Sequence, residues 1–310
     1  MSLLFPLRII NGVFYRMRTA ALPAVFVCAT GALVAQSGVT FKALEGDGAP
    51  VQSSSVSLGG GRLATIAVVG SNPQQATMES GRALKFVGHD PVTRLTVLAG
   101  PEDDSESASL GSALGLLPGD AVYLPGQKRA SRVVRWEDTF RGKVLPVALL
   151  RIHHPLQDAP LPGTPLTNAR GEVIALCHEE ASGSGNGTYA LPVEAVQRIE
   201  FDLKNFGRVS PCWIGVTVNA ASPVLALEMV RPDSPGAVAG LKRGDILLSV
   251  GRRRVSNYAE ARNAFYYLMA GRTTNLTLLR GTRRLDLKVV PEVHPLYRME
   301  QDRGRGNQGS

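Results

Sequence analysis

Cysteine is almost absent from this 310-residue chain, with only Cys28, Cys177 and Cys212 present. That number excludes a disulfide framework. Cys28 falls in an N-terminal apolar run, and the other two read as separate, buried thiols. Aromatic residues are few, at 6%, and none interleaves with the one dense basic run, Arg252-Arg253-Arg254. A nucleic-acid binder would show a denser basic stripe even at this formal net charge of +8. The run therefore reads as a solvated turn between strands. The five histidines are His89, His153, His154, His178 and His294. The pair His153-His154 reads as a polar loop, because spacing alone supplies it with no convergent partners. No metal or cofactor is expected. Gly183-Ser184-Gly185-Asn186-Gly187 has neither the lysine nor the following helix of a phosphate loop, and reads as a surface turn.

Long hydrophobic runs are also missing. The uncharged stretch from Ala20 to Ala35 is too short and too rich in small residues for a transmembrane span. It follows Arg8, Arg16 and Arg18, and small residues surround Ala35 and Ser37, which is the order of an export signal. Left uncleaved, the segment would be an anchor with its basic flank inside, giving membrane association through the N-terminus. Both outcomes place the bulk of the chain outside the cytoplasm, in the periplasm or another extracytoplasmic compartment. Cys28 lacks the preceding small residues of a lipid-modified cysteine.

What the chain does have is 33 glycines and 20 prolines, distributed as turn signals between short apolar runs. From residue 38 to 207 the runs are Leu63–Val69, Ala83–Val87, Leu95–Leu98, Ala121–Leu124, Val144–Ile152 and Glu172–Leu176. Such spacing predicts a β-sandwich or a pair of barrels. Val196, Ile199 and Leu203 then recur at helical spacing, and Gly207 can stop that helix. A second unit, 211–292, reads as strands Trp213–Val218, Ala226–Val230, Asp245–Val250, Thr274–Leu279 and Arg284–Val289. Helices are expected at Pro235–Ala239 and Tyr258–Met269. Residues 1–37 form the signal or anchor, and 293–310 a polar tail with no apolar face to bury.

The densest motif is Ser234-Pro235-Gly236-Ala237-Val238-Ala239-Gly240-Leu241-Lys242-Arg243-Gly244-Asp245. Ser234 can cap a short helix with Pro235 at its first position, and Gly240 supplies a left-handed exit. This block resembles a bacterial-type PDZ domain. The resemblance implies capture of peptide or protein C-termini as an added strand. It assigns the carboxylate-binding loop to Trp213, Ile214, Gly215 and Val216, and the pairing strand to Val216, Thr217 and Val218. Ala261, Phe265 and Leu268 are expected on the facing helix, with core packing as the competing role for at least one of them.

The first unit resembles the HtrA family of trypsin-like serine proteases. The matching stretches are Gly81 to Leu98, Leu110 to Gly126, Leu161 to Ile174 and Tyr189-Ala190-Leu191-Pro192. The fold implied is mainly β, a chymotrypsin/trypsin-like double β-barrel followed by a β-sandwich-like PDZ domain with two helices. Family members form trimers, which makes a homo-oligomer an implied state.

The same matches place Ala67 at the family's histidine, Arg94 at its aspartate and Pro162 at its serine. A triad needs a hydroxyl nucleophile, an imidazole base and an orienting carboxylate. The oxyanion donors would be the N–H groups of residues 160 and 162, both proline here, and proline has none. The expectation is a pseudoprotease acting as an exported adaptor, regulator or chaperone-like scaffold. Two alternatives stand beside it: an active serine endopeptidase with its catalytic residues elsewhere, and an envelope structural protein whose groove is vestigial.

Overall fold

The computed structural model describes residues 36–45, 48–100, 106–140, 143–180, 187–220, 222 and 224–297. The stretch expected to be an export signal or anchor, most of the Gly183–Gly187 stretch and most of the polar tail lie outside them. Six antiparallel strands form a closed barrel: β1 (Gln36–Ala43), β2 (Val51–Gly59), β3 (Arg62–Ile66), β4 (Ser71–Met78), β5 (Ala83–His89) and β6 (Leu95–Ala99). Around it they run β1-β2-β3-β6-β5-β4, and β4 pairs back onto β1.

The apolar runs of β3 and β6 are continuous because both strand faces are buried. Leu63, Ala67 and Leu98 point into the barrel with Phe41 and Leu84. Ala64, Ile66, Leu95 and Val97 point outward, into a core shared with the second barrel. Alternation thus disappears from the sequence without disappearing from the structure.

The second sheet has the order β10-β11-β12-β9-β8-β7. Its strands are β7 (Ala121–Val122), β8 (Ser131–Phe140), β9 (Lys143–His153), β10 (Pro165–Thr167), β11 (Val173–Glu180) and β12 (Gly187–Pro192). Tyr123 and Thr167 exchange two backbone hydrogen bonds at 2.9 Å, which links the β7 end to β10 and closes the ring. Its interior holds Val122, Val133, Leu150, Ile152, Leu166, Ile174 and Cys177.

Helix α1 (Val193–Phe206) lays Val196, Ile199 and Leu203 on the inter-barrel core and ends at Gly207, φ 68°. Its buried Arg198 pairs with Asp202 at 3.1 Å and donates to the Ser210 carbonyl, while the Ser210 N–H donates to Asp202. Those bonds fix the chain's departure into the last unit.

That unit contains β13 (Cys212–Trp213), β14 (Val216–Val218), β15 (Leu227–Val230), α2 (Pro235–Val238) and β16 (Ile246–Val250). It continues with β17 (Arg253–Arg254), α3 (Tyr258–Tyr266), β18 (Thr274–Arg280), β19 (Arg283–Val289) and β20 (Glu292–Val293). Its core is Ile214, Leu225, Leu227, Leu241, Leu247, Val250, Ala261, Ala264, Leu268, Leu276 and Leu278.

Three expectations need correction. The strand expected over Trp213–Val218 is broken at Ile214-Gly215, because Gly215 takes a left-handed φ of 77°. The helix expected to Met269 ends at Tyr266, three residues early. Arg252-Arg253-Arg254 is no mere solvated turn: Arg253 and Arg254 pair with β16, and the Arg253 guanidinium lies 3.8 Å over the Tyr267 ring. Cys177 and Cys212 are free thiols in different cores, and burial pushes both up to about 12.

Helix α3 is also the unit's contact with the barrels. Asn263 accepts the Ala148 N–H at 2.9 Å, where β9 bulges away from β8. Tyr266 and Tyr267 pack against the inter-barrel core.

Candidate functional sites: a barrel cleft and an open strand edge

Ala67, Arg94 and Pro162 lie in three separate segments of the barrels, and the fold brings them together. The N–H of Ala67 donates to the carbonyl of Arg94 at 2.9 Å. The carbonyl of Pro162 accepts the Ser54 N–H at 2.7 Å and sits 2.7 Å from Ser53 Oγ. The same Ser53 oxygen is 2.9 Å from the Ile66 carbonyl and 2.9 Å from Thr65 Oγ1. Ser53 therefore ties the Pro162 loop to the residue just before Ala67.

Gly163 completes the closure. Its φ is 82°, and a Cβ there would stand 1.9 Å from the Ser54 carbonyl oxygen. Only glycine allows the loop to press this closely on β2. The side chains gathered at the three positions are a methyl, a guanidinium and a pyrrolidine. None offers a nucleophilic oxygen or a proton-accepting lone pair.

Arg94 holds a left-handed φ of 59°, uncommon for a residue with a side chain. Its guanidinium reaches Glu179 at 3.0 Å and lies 2.8 Å from Nδ1 of His178. His178 Nε2 is 3.1 Å from the Thr93 carbonyl, so that nitrogen carries the proton and Nδ1 accepts from Arg94. Burial, and then the adjacent Arg94 charge, push His178 down to about 4. The imidazole that contacts Arg94 is thus neutral, with its accepting nitrogen already in use. No local motif singles out His178 among the five histidines, because its partner Arg94 is 84 residues away. His154, of the pair singled out earlier, is 1% exposed, so it is not the polar loop residue expected.

The second candidate is the open edge of β14. This strand pairs with β15 and has no other strand beside it among the described residues. The loop before it, Ile214-Gly215, has both carbonyls occupied: Ile214 accepts from Gly236 and Gly215 from Arg231, each at 2.8 Å. Its two N–H groups donate to no group among the described residues. A Cβ on Gly215 would lie 2.1 Å from Ser234 Cβ. Ser234, which caps α2 by accepting from the Ala237 N–H at 3.2 Å, thus supports the loop from below. Two free, adjacent N–H groups at a turn form an anion-binding concavity, and an open strand edge beside it accepts an extended chain.

Trp213 is partly buried, edge-on to His294. Val216 and Val218 rest on the core, and Thr217 is exposed. Of the three residues expected on the helical wall, Ala261 (1% exposed) and Leu268 (5%) belong to the core, and Phe265 stays partly exposed. Core packing, the competing role expected for at least one of them, is thus the role of Ala261 and Leu268. Tyr258, Arg262 and Phe265, at i, i+4 and i+7, form the less buried stripe. Four residues past the end of α3, the Ala270 backbone hydrogen-bonds the thiol of Cys212, two residues before the Ile214-Gly215 loop.

The family profile described as "PDZ domain" matches residues 212–290. A "Probable periplasmic serine endoprotease DegP-like" of Marinomonas sp. (strain MWYL1) is 26% identical over 247 residues, 71% of this chain and 52% of that protein. The "Putative serine protease HhoA" of Synechocystis sp. is 31% identical over 150 residues, 41% of this chain and 37% of that protein. The chain spans about half the length of the DegP-like relatives it matches. Among solved structures, "HtrA-type protease AlgW with tripeptide" superposes with a TM-score of 0.56 at 21% identity. That match covers 86% of this chain and 96% of the other. A serine endoprotease from Yersinia pestis gives a TM-score of 0.50 at 21% identity, over 85% and 96%. At these identities the structural likeness shows the fold, a trypsin-like barrel pair with a PDZ domain.

Proposed function

Since the chain is an HtrA-like protein with a PDZ domain, we propose that it is an exported, non-catalytic binder of peptide or protein C-termini. On this reading it works in the periplasm as an adaptor, regulator or chaperone-like scaffold, and its barrels carry the groove without cleaving what the groove holds. The observation that carries the reading is the pair Pro160 and Pro162, which stand where a trypsin-like mechanism takes its two backbone donors. Losing one such donor costs about 2.7–4 kcal/mol of transition-state stabilisation. Here both are lost, together with the hydroxyl, the imidazole and the carboxylate that Pro162, Ala67 and Arg94 replace.

Support for the binding half comes from the free N–H groups of Ile214 and Gly215 beside the open edge of β14. The competing reading, an active endopeptidase, draws on the printed names of the relatives, which are serine endoproteases. It requires a nucleophile and base away from the three aligned positions, and His178, held neutral with Nδ1 occupied, is poorly suited as that base.

The test is a titration of the full chain with a fluorescent peptide ending in valine, as free carboxylate and as amide. Saturable binding of the acid alone supports the reading. Equal binding of both, or none, removes it.

A further inference from the structure

The charge of the chain is unevenly divided. Residues 211–292 hold twelve Lys and Arg against six Asp and Glu, whereas residues 38–207 hold fifteen against eighteen. Of the six acids, Asp245 is buried against Arg280 and Glu260 is engaged by Ser256. The exposed surface of this domain is therefore cationic, and one of its cations stands on the less buried stripe of α3.

Arg262 is exposed, lies between Tyr258 and Phe265 on that stripe, and is in no ion pair among the described residues. Its one polar contact there is a long one, 3.5 Å to the Val144 carbonyl. An unpaired guanidinium on the wall of a groove is free to meet a carboxylate.

The spacing says which carboxylate. An added strand advances about 3.3 Å per residue, and alternate side chains face the helix, so the terminal residue and the one two before it do so, about 6.6 Å apart. With the terminal carboxylate on Ile214-Gly215, the end of α3 nearest the loop, Phe265, faces the terminal side chain. Arg262 is three residues back along the helix, about 4.5 Å at 1.5 Å per residue. Its long side chain covers the remaining distance.

We propose that the groove selects peptide C-termini with an acidic side chain two residues before the last, and that Arg262 reads it. This inference rests on the peptide-binding reading above.

The experiment titrates the full chain at low salt with three free-acid peptides that differ only at the end: Glu-Ala-Val, Gln-Ala-Val and Lys-Ala-Val. The expected order of affinity is Glu, Gln, Lys, with about tenfold between first and last, a gap that narrows as salt rises. Arg262→Glu should reverse the order, and Arg262→Gln should flatten it. If Gln-Ala-Val binds but the three peptides are alike, the acidic preference is wrong and peptide capture survives. If no peptide binds, both fall. If the peptides are alike and the chain instead sediments with phosphatidylglycerol vesicles in an Arg262-dependent manner, Arg262 serves a lipid surface and the proposal is overturned.

Discussion

The hydroxyl of Tyr266 donates to the carboxylate of Asp90 at 2.6 Å, across 176 residues of sequence and from the PDZ helix to the first barrel. Asp90 is 2% exposed and also takes the Thr93 hydroxyl at 2.7 Å and the Val92 N–H at 3.1 Å. One buried carboxylate thus organises the turn leading to Arg94 and holds the helix that flanks the groove. Arg198 stacks over the same Tyr266 ring at 4.6 Å, so the tyrosine is held on two sides.

Tyr266→Phe keeps the ring and removes the donor. A hydrogen bond to a charged, buried acceptor contributes about 1.5–3 kcal/mol, and a loss of that size is expected in denaturant unfolding at neutral pH. A loss below about 0.5 kcal/mol, the range of an ordinary surface substitution, would mean that the contact does not fasten the domain.

Gly215→Ala places a methyl where Ser234 already sits and asks alanine to hold a φ of 77°. Both effects distort the loop whose N–H groups have no acceptor among the described residues. We expect the variant to lose C-terminal peptide binding while the far-UV circular dichroism spectrum stays unchanged, because the strands and helices do not depend on that turn. Unchanged affinity would detach the loop from binding.

His178 gives the stability a pH dependence. Its folded value is pushed down to about 4 from the ordinary 6.5. Between those values the unfolded chain takes up the proton and the folded chain does not, so stability present above pH 6.5 is lost as the pH falls towards 4. A shift of that size corresponds to about 3 kcal/mol. Asp202 works the other way: burial raises it to about 6, which favours the folded state on acidification over the same range. The two are separated by comparing the chain with His178→Gln at pH 7.5 and pH 4.5. The wild-type advantage should shrink by about 2–3 kcal/mol at the lower pH, and a constant advantage would contradict the assignment.

Much of the fold was legible because its signals are local. The Ser234–Asp245 block predicts a capped short helix and a turn, and Ser234 does cap α2. Val196, Ile199 and Leu203 predict the buried face of α1. β4 carries no apolar alternation because Asn72, Gln74 and Gln75 are polar and none of them is buried. The role of Arg253 is not local, because its partner ring, Tyr267, is fourteen positions away, just past the end of α3. The same holds for the site. Ala67, Arg94 and Pro162 could be placed by resemblance, but not the serine that ties their loops together, nor the His178–Arg94 contact. Ala261 and Arg262 are neighbours in sequence and about 100° apart around the helix, so apolar periodicity marks the face that packs inward and leaves Arg262 off it.

Labelling with a fluorophosphonate reads directly whether the barrels hold a serine able to start acyl transfer. The full chain should take up no label, and neither should the triple variant Ala67→His, Arg94→Asp, Pro162→Ser, because Pro160 still denies the site a backbone donor. Stoichiometric labelling of the unaltered chain would contradict the non-catalytic reading outright, and substantial peptidase activity in the triple variant would show that the missing donor is not decisive.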